Sequence, residues 1–375
     1  MNSALLNKIN LLVFILLTHS FLSACVTVTK QSREARIDGN FNDHGHTLVN
    51  LDQTDEHLNE ADLAEADLDQ DLGQYLELDL ERNLDQVLDQ DLERNLNLDL
   101  GRKAFEKKGP FGYQYHADLE IEINKEESLK VDYIQSSADG KAPLLIFIHG
   151  NRSKKEVHSF QAQRLSSWGF HTLSIDLPNR KQWVNNGDRV LRLVNYINAH
   201  PEILGGLGKH IDVDKIILIG HSFGGSASII AAGSGAPVSG IILLDPAVVH
   251  PVVVEKMPQV TVPVILLGAD KELYKSRKRQ KFFDKIESDM IELSLSNTTH
   301  NEAQYPSMCS FFTLGFECYS RENQKLFTSA ITVSALSLTV SKGLDFAWTI
   351  FSESANYGVV KDLKIKGSSM ISSNN

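Results

Sequence analysis

Short apolar runs alternate with helix-like segments along most of the chain after residue 110, and this alternation constrains the fold more than any other feature. Leu144–Ile148 is apolar at every position, which is typical of a parallel strand buried on both faces. The predicted strands cover 117–123, 130–134, 144–148, 171–175, 216–219, 241–244, 262–267 and 290–295. The predicted helices cover 157–168, 187–200, 223–232, 276–286 and 329–340. This order predicts an α/β fold with a doubly wound, mostly parallel sheet that is covered by helices on both faces.

Ligands in such a sheet bind beyond the carboxyl ends of the strands, so candidate site residues are sought there. The run Gly220-His-Ser-Phe-Gly-Gly225 stands between the strand 216–219 and the helix 223–232, and it has the pattern G-x-S-x-G. In the order strand, turn, helix, this pattern indicates a nucleophile elbow, whose small residues allow a sharp turn that exposes the serine. The helix N-terminus behind the turn adds positive potential and N–H groups. Ser222 is therefore the candidate nucleophile.

A second strand end supplies a candidate oxyanion hole. His149, Gly150 and Asn151 follow the strand 144–148, where a loop can direct a backbone N–H toward a developing oxyanion. We expect one donor from Asn151 and the other from Phe223, the residue after the nucleophile. For His149 we favour a structural role in which the imidazole braces the loop.

A serine nucleophile requires a general base, and the base requires an orienting acid. His300 is the candidate base because it follows the last predicted strand, 290–295. The other histidine downstream of the elbow, His250, lies in a loop rich in proline and valine. Asp245 and Asp270 both follow strands at the same edge of the predicted sheet. Either carboxylate could orient the imidazole, so the residues themselves leave the acid open.

With an oxyanion loop, a serine elbow, an acid and a histidine in this order, the chain resembles the α/β-hydrolase family from about Phe111 to Val340. It is similar to the branch of chlorophyllases, platelet-activating-factor acetylhydrolases and dienelactone-hydrolase-like enzymes, where the acid follows the strand after the elbow helix. That resemblance favours Asp245. The cutinase and polyester-hydrolase branch, which is also similar, has its acid one strand later and would imply Asp270, or Glu272 by strict spacing.

The resemblance implies an acyl-enzyme mechanism on an ester substrate, without a metal or an organic cofactor. Ser222 would attack the carbonyl, His300 would act as general base and then as general acid, and Asp245 would hold the tautomer. The polyester-hydrolase branch often has a tryptophan where this chain has Ala247, so an aromatic clamp for a polyester is not implied. No cluster of cysteine, histidine and carboxylate has metal-ligand spacing. Acyltransferases and peptidases use the same triad and stay alternatives.

The first 25 residues indicate export from the cytoplasm. Lys8 precedes an apolar run that ends at Leu17, and Leu-Ser-Ala-Cys follows at 22–25. A charged start, an apolar run of this length and small residues before a cleavage site are typical of a secretory signal peptide. The ending on Cys25 resembles the bacterial lipoprotein box, which implies that this cysteine is lipidated and becomes the mature N-terminus. Val26 carries no acidic retention signal, so the resemblance implies anchoring in the outer membrane of a bacterial cell envelope.

Export also places the chain in an oxidising compartment. After lipidation of Cys25, Cys309 and Cys318 remain as a pair nine positions apart. We expect a disulfide that closes a small loop between them, with two free thiols as the alternative.

Most of the negative charge lies in residues 51–100. This segment holds 11 Asp, 6 Glu and 2 Arg, a net charge of −15, whereas the whole chain has −11. From Leu68 to Leu100, leucine recurs only at even positions and acidic residues are concentrated at odd positions. A period of two is that of a strand, yet Asp, Asn and Glu are poor strand formers. We interpret this segment as a repetitive, solvated tether, with a cation-binding or self-associating strand array as the alternative.

These interpretations divide the chain into a signal peptide at 1–24, an acidic tether at 25–109, a catalytic domain at 110–340 and a C-terminal extension without an assigned role at 341–375. The negative charge disfavours a nucleic-acid partner held by bulk electrostatics. A membrane-anchored ester hydrolase is the favoured function. A binding or adhesion protein on a repurposed hydrolase fold is the alternative; the long tether motivates it, and the complete set of triad residues opposes it.

Overall fold

The computed structural model describes residues 105–178, 182–201, 210–271, 277–307, 310–312, 315–317, 319–339 and 343–367. The predicted signal peptide, the lipidation site Cys25 and nearly all of the predicted tether lie outside the described residues. Cys309 and Cys318, the predicted disulfide partners, also lie outside them. All described residues belong to one unit of the chain, Leu98–Asn375.

A nine-stranded sheet forms the centre of this unit. Its order is β1-β2-β4-β3-β5-β6-β7-β8-β11, and β9 and β10 pair separately with each other. All neighbours from β4 to β8 pair in parallel, whereas the pairs β1–β2, β2–β4 and β8–β11 are antiparallel. The predicted mostly parallel α/β sheet is confirmed. The strands are β1 (Tyr113–Asn124), β2 (Glu127–Ser136), β3 (Ala142–Ile148), β4 (His171–Ile175), β5 (Ile211–His221), β6 (Gly240–Leu244), β7 (Val264–Ala269), β8 (Met290–Leu295), β9 (Ser310–Phe312), β10 (Gly315–Glu317) and β11 (Val360–Lys366).

Helices cover both faces of the sheet and create two apolar cores. Because successive residues of a strand point to opposite faces, Ile146 packs in one core with Val190, and Phe147 packs in the other with Leu165. Burial of both faces is the reason that the central strands are apolar at every position. The α-helices are α1 (Ser159–Ser167), α2 (Trp183–Ala199), α3 (Phe223–Gly233), α4 (Pro251–Lys256), α5 (Arg277–Lys285), α6 (Arg321–Thr339) and α7 (Asp345–Asn356), and short 3-10 helices lie at Lys155–His158, Met257–Gln259 and His300–Ala303.

Helix α6 begins at Arg321, whereas the predicted helix begins at residue 329. The prediction starts late because the first turns of the helix are mostly polar and give little apolar signal. Its buried serine and threonine hydroxyls donate to the carbonyl four residues earlier, as Thr332 does to Thr328 at 2.9 Å and Ser334 to Ala330 at 2.7 Å. These bonds satisfy polar groups inside the core. Within the described ranges, no helix has both the length and the apolar character needed to span a membrane.

The folded unit extends past both predicted domain boundaries. At its start, the buried ring of Phe105 lies 5.3 Å from the ring of Trp168 and 6.5 Å from that of Phe346, so residues 105–109 continue the domain. At its end, Phe351 of α7 is buried, and β11 pairs with β8 with Lys361 opposite Ser294. Residues 343–367, to which the sequence assigned no role, therefore complete the sheet.

Candidate active site

The carboxyl ends of β5, β6 and β8 lie along one edge of the sheet and carry the three candidate triad residues. Ser222 follows β5, Asp245 follows β6, and His300 lies in the loop after β8. Two backbone hydrogen bonds join the first two loops: the Ser222 N–H donates to the Leu244 carbonyl at 3.0 Å, and the Ala247 N–H donates to the Ser222 carbonyl at 3.0 Å. The serine turn and the loop after β6 are thus held together as one structure.

Ser222 sits in a strained turn between β5 and α3. Its φ of 53° and ψ of −116° are rare for a residue with a side chain, and such conformations cost about 1–3 kcal/mol. A Cβ on Gly224 would lie 2.2 Å from the Ile148 carbonyl oxygen, and one on Gly220 would lie 2.6 Å from the Gly224 carbonyl oxygen. The glycines of the motif therefore allow α3 to start directly against the strand ends. Ser222 itself is 7% exposed to solvent.

Asp245 and His300 form a close acid–base pair. The imidazole Nδ1 lies 2.6 Å from the carboxylate Oδ2, and the Ala269 N–H donates to Oδ1 at 3.0 Å. Burial alone would raise the pKa of Asp245, which is 6% exposed, but the hydrogen bonds from His300 and Ala269 and the nearby charge of Arg279 outweigh it and lower this pKa. The carboxylate thus stays ionised and holds the proton of a neutral imidazole on Nδ1, which makes Nε2 the acceptor.

The second candidate acid, Asp270, has different partners. Its Oδ2 accepts a hydrogen bond from Lys361 Nζ of β11 at 2.8 Å and one from the Asn297 N–H at 3.4 Å. Of the two aspartates, the geometry brings Asp245 to the imidazole of His300 and gives Asp270 an ion pair with the last strand. Glu272 lies outside the described residues.

The candidate oxyanion loop after β3 lies against the serine turn. A Cβ on Gly150 would lie 3.0 Å from Ser222 Cβ, so the two backbones are in close contact. The buried His149 accepts from the Leu177 N–H through Nε2 at 3.0 Å and donates through Nδ1 to the Gly150 carbonyl at 2.8 Å, which braces the loop. Asn151 is the next residue and is exposed. Phe223 begins α3, so its N–H has no acceptor within the helix.

Comparison with known proteins agrees with this architecture. Residues 145–314 match the model of the alpha/beta hydrolase family, a range that holds every candidate triad and oxyanion residue. The chain has the α/β-hydrolase fold. It is similar to a bis(hydroxyethyl) terephthalate hydrolase from Streptomyces coelicolor, with 25% identity over 173 residues, which are 45% of this chain and 53% of that protein. The chain therefore spans about half the length of the curated relative that it matches.

His221 contacts the candidate base and Gln304 contacts His221, and the sequence singled out neither residue. The Gln304 amide Nε2 lies 2.8 Å from His221 Nδ1, and His221 Nε2 lies 3.1 Å from the carbonyl oxygen of His300. Because the amide donates to Nδ1, the proton of His221 is on Nε2 and is donated to His300. Burial, and then the neighbouring His300 and His158, lower the pKa of His221 well below its ordinary value, so its imidazole is neutral. The sequence feature that could have pointed to His221 is its position inside the G-x-S-x-G motif, directly before Ser222.

A capping box holds the turn on which His300 lies. The Glu302 N–H donates to the Thr299 carbonyl at 3.1 Å, and the Glu302 carboxylate accepts from the Thr299 N–H at 2.7 Å. The same carboxylate accepts from the Ser320 N–H at 2.7 Å and from Asn323 Nδ2 at 2.8 Å, at the start of α6. The turn that carries His300 is therefore held both by hydrogen bonds within the turn and by hydrogen bonds to the start of α6. In the part of the chain that the structure describes, no three His, Cys, Asp or Glu side chains are grouped as metal ligands would be.

Proposed function

We propose that this chain is a serine hydrolase that cleaves carboxylic esters through an acyl-enzyme. The observation that carries the proposal is the 2.6 Å hydrogen bond between Asp245 and His300 at the sheet edge where Ser222 occupies a strained turn. A buried carboxylate that orients an imidazole beside such a serine is the arrangement that activates a hydroxyl nucleophile. The match of residues 145–314 to the alpha/beta hydrolase family supports the same class of reaction.

In the proposed mechanism, Ser222 Oγ attacks the ester carbonyl carbon and transfers its proton to His300 Nε2. The oxyanion of the tetrahedral intermediate accepts hydrogen bonds from the N–H groups of Asn151 and Phe223, each worth about 3 kcal/mol of transition-state stabilisation. Asp245 stabilises the imidazolium, which protonates the departing alcohol. A water molecule then repeats the sequence on the acyl-serine, and the free acid leaves.

The surroundings of the serine turn support an ester with an apolar or aromatic acyl part. The ring of half-buried Phe223 lies 5.4 Å from the buried ring of Trp183 at an angle of 90°, and Trp183 lies 6.4 Å from His149. Aromatic surface beside the nucleophile suits small or lipid-like acyl groups. The relative named as a bis(hydroxyethyl) terephthalate hydrolase supports an aromatic diester among the substrates to be tried.

We propose further that the hydrolase is held on the bacterial cell envelope by a lipid on Cys25, with the acidic segment as its tether and the outer membrane as its site. The support is the run of signal-peptide features that ends on this cysteine. In a bacterial host fed an alkyne fatty acid, the full chain should be labelled and recovered with membranes, whereas Cys25→Ala should be unlabelled. Labelling of Cys25→Ala at the level of the unaltered chain would contradict the anchor. Non-reducing peptide mapping tests the proposed Cys309–Cys318 disulfide in the same material.

The catalytic proposal is tested with the full chain in detergent on p-nitrophenyl esters from acetate to laurate, beside Ser222→Ala. We expect turnover and fluorophosphonate labelling in the unaltered protein and neither in the variant. The chain-length profile then measures the depth of the acyl pocket, with bis(hydroxyethyl) terephthalate as the aromatic substrate. Equal rates in both proteins, or no turnover and no labelling in either, would contradict a serine hydrolase and favour a binding protein. Transfer of the acyl group to an added alcohol in preference to water would identify an acyltransferase.

A further inference from the structure

A buried arginine lies behind the acid of the candidate triad. Arg279, on α5, is 7% exposed, and its Nη1 lies 3.5 Å from Asp245 Oδ1 and 3.1 Å from the Ala269 carbonyl oxygen. Its Nη2 donates to Ser294 Oγ at 2.7 Å, and its Nε lies 3.5 Å from Glu292 Oε1. The guanidinium therefore lies between the acid of the site and a second buried carboxylate.

A glycine on β7 makes room for this guanidinium. A Cβ on Gly268 would lie 1.7 Å from Arg279 Nη1 and 2.4 Å from its Cζ, so no other residue fits without moving the arginine. Gly268 pairs with Ser294 across β7 and β8, and the hydroxyl of Ser294 is a partner of Arg279. The sheet thus provides both a space for the guanidinium and an acceptor within it.

The two oxygens of Asp245 have separate partners. Oδ2 accepts from His300 Nδ1, while Oδ1 accepts from the Ala269 N–H and faces Arg279. A buried carboxylate with no cation near it would strongly stabilise an imidazolium on His300, and the base would then stay protonated up to a higher pH. A fixed positive charge at the opposite oxygen offsets part of that effect.

We propose that Arg279 is a positioning residue for the acid–base pair, which holds the Asp245 carboxylate with Oδ2 toward His300 and keeps the imidazole unprotonated down to a lower pH. The inference rests on the proposed function, because it assigns Arg279 a part in the same reaction. Arg279 does not touch the reacting atoms, and it acts through Asp245 alone.

The other charged groups around this pair do not replace the arginine. Glu292 is buried and its pKa is raised, chiefly by burial, with the charge of Arg279 acting in the opposite direction. Asp362 accepts from Ser294 Oγ at 3.2 Å, and Asp284 and Lys364 act on Glu292 at longer range. On the other side of the site, the His300 ring lies 4.6 Å from that of His221, at an angle of 39°, and His158 lies on the far side of His221. Among these described groups, Arg279 is the cation in contact with the acid of the triad.

The test is the pH dependence of kcat/KM for ester hydrolysis by the full chain. Arg279→Met should move the midpoint of the acid limb upward by about one pH unit, because the imidazolium loses a repulsive neighbour. Arg279→Lys should keep the midpoint near that of the unaltered protein, although its activity plateau falls with the lost hydrogen bonds. Lys361→Met is the matched control, since it removes a cation that pairs with Asp270, and its midpoint should not move.

An unmoved midpoint in Arg279→Met, or an equal shift in Arg279→Lys, would overturn the proposal. Should Arg279→Met fail to fold, Arg279→Met combined with Glu292→Gln removes both buried charges and should still move the midpoint upward, by less than one pH unit, because Glu292 is the more distant of the two charges from Asp245. Protonation of the His300 imidazole is followed in parallel by NMR of histidine-labelled protein, with His300→Gln for assignment. If the unaltered chain hydrolyses no ester, the proposed function fails, while the NMR titration still decides the role of Arg279.

Discussion

The imidazole Nδ1 of His300 lies 2.6 Å from Oδ2 of Asp245, although 55 positions separate the two residues in the chain. Each residue lies in a loop that other hydrogen bonds hold in place. The Asp245 N–H donates to the Leu267 carbonyl at 2.8 Å, and a capping box that ends on Glu302 holds the turn of His300. The short distance therefore results from two loops held at strand ends on the same edge of the sheet, and it makes Asp245 the candidate acid that the first prediction tests.

Replacement of Asp245 by asparagine should lower kcat by about 10⁴-fold, because an amide no longer holds the proton of His300 on Nδ1. Asp270→Asn is the matched control and should stay within about threefold of the unaltered protein, since Asp270 pairs with Lys361. Ester hydrolysis by the two variants under saturating substrate measures this difference. A large loss in Asp270→Asn with little effect in Asp245→Asn would transfer the role to Asp270.

Replacement of Ser222 by glycine should give an inactive protein that is more stable than Ser222→Ala by about 1 kcal/mol. Alanine keeps the strain of a φ of 53° and a ψ of −116°, whereas glycine adopts this conformation readily. Urea unfolding of both variants provides the comparison. Greater stability of the alanine variant would mean that the turn is not strained in solution.

Loss of the amide donor in Gln304→Leu should lower kcat about tenfold with little change in KM. Without this donor His221 is no longer held in the tautomer that donates to the His300 carbonyl, so the base is less well positioned. A buried polar group without its partner should also cost about 1–3 kcal/mol of unfolding free energy. Ser153→Ala removes the other, longer contact of Gln304, at 3.5 Å, and should leave kcat nearly unchanged. Equal kinetic effects in the two variants would count against a role for the tautomer of His221.

The free energy of unfolding should fall as the pH is lowered from about 6.5 to about 4. Burial lowers the pKa of His158 and His171 to about 4, and that of His221 also lies well below its ordinary value. In this pH interval these histidines are protonated in the unfolded chain but neutral in the folded chain. Each of them therefore lowers the free energy of unfolding by about 1.4 kcal/mol for each pH unit of acidification.

Urea unfolding at several pH values measures that slope, and His158→Phe removes one of the three titrating groups. The variant should lose stability less steeply with acidification, by about 1.4 kcal/mol per pH unit. A slope that is the same in both proteins would show that His158 does not resist protonation in the folded state.

Truncation of Phe351 to alanine should lower the free energy of unfolding by about 3–5 kcal/mol, because its ring is buried in the core under α7. Tyr357→Ala, at the end of the same helix, is 59% exposed and should change stability by about 0.5 kcal/mol or less. Chemical unfolding of both variants tests whether residues 343–367 belong to the folded unit. Equal, small effects would mean that α7 is not part of its core.

The parallel part of the sheet could be predicted from the sequence because burial on both faces leaves a local mark. Leu144–Ile148 is apolar at every position and Met290–Leu295 at four of six, and both predicted ranges lie within the observed strands. The last strand, Val360–Lys366, carries lysines and an aspartate and gives no such mark, because it lies at the sheet edge. The first turns of α6 were also not predicted, because they are mostly polar and lack an apolar periodicity.

Some residues of the candidate site could likewise be predicted from a local pattern, and others could not. The glycines and the serine between strand and helix form a local pattern, so the fold class, the candidate nucleophile Ser222 and the strand ends that could carry its partners were predictable from the sequence. The folded structure was needed to show that Asp245 bonds His300 while Asp270 bonds Lys361, and that His221, Gln304 and Arg279 lie around the pair. These contacts join residues far apart in the chain, and their distances depend on strand order, register and loop path. No periodicity or spacing along the sequence records them.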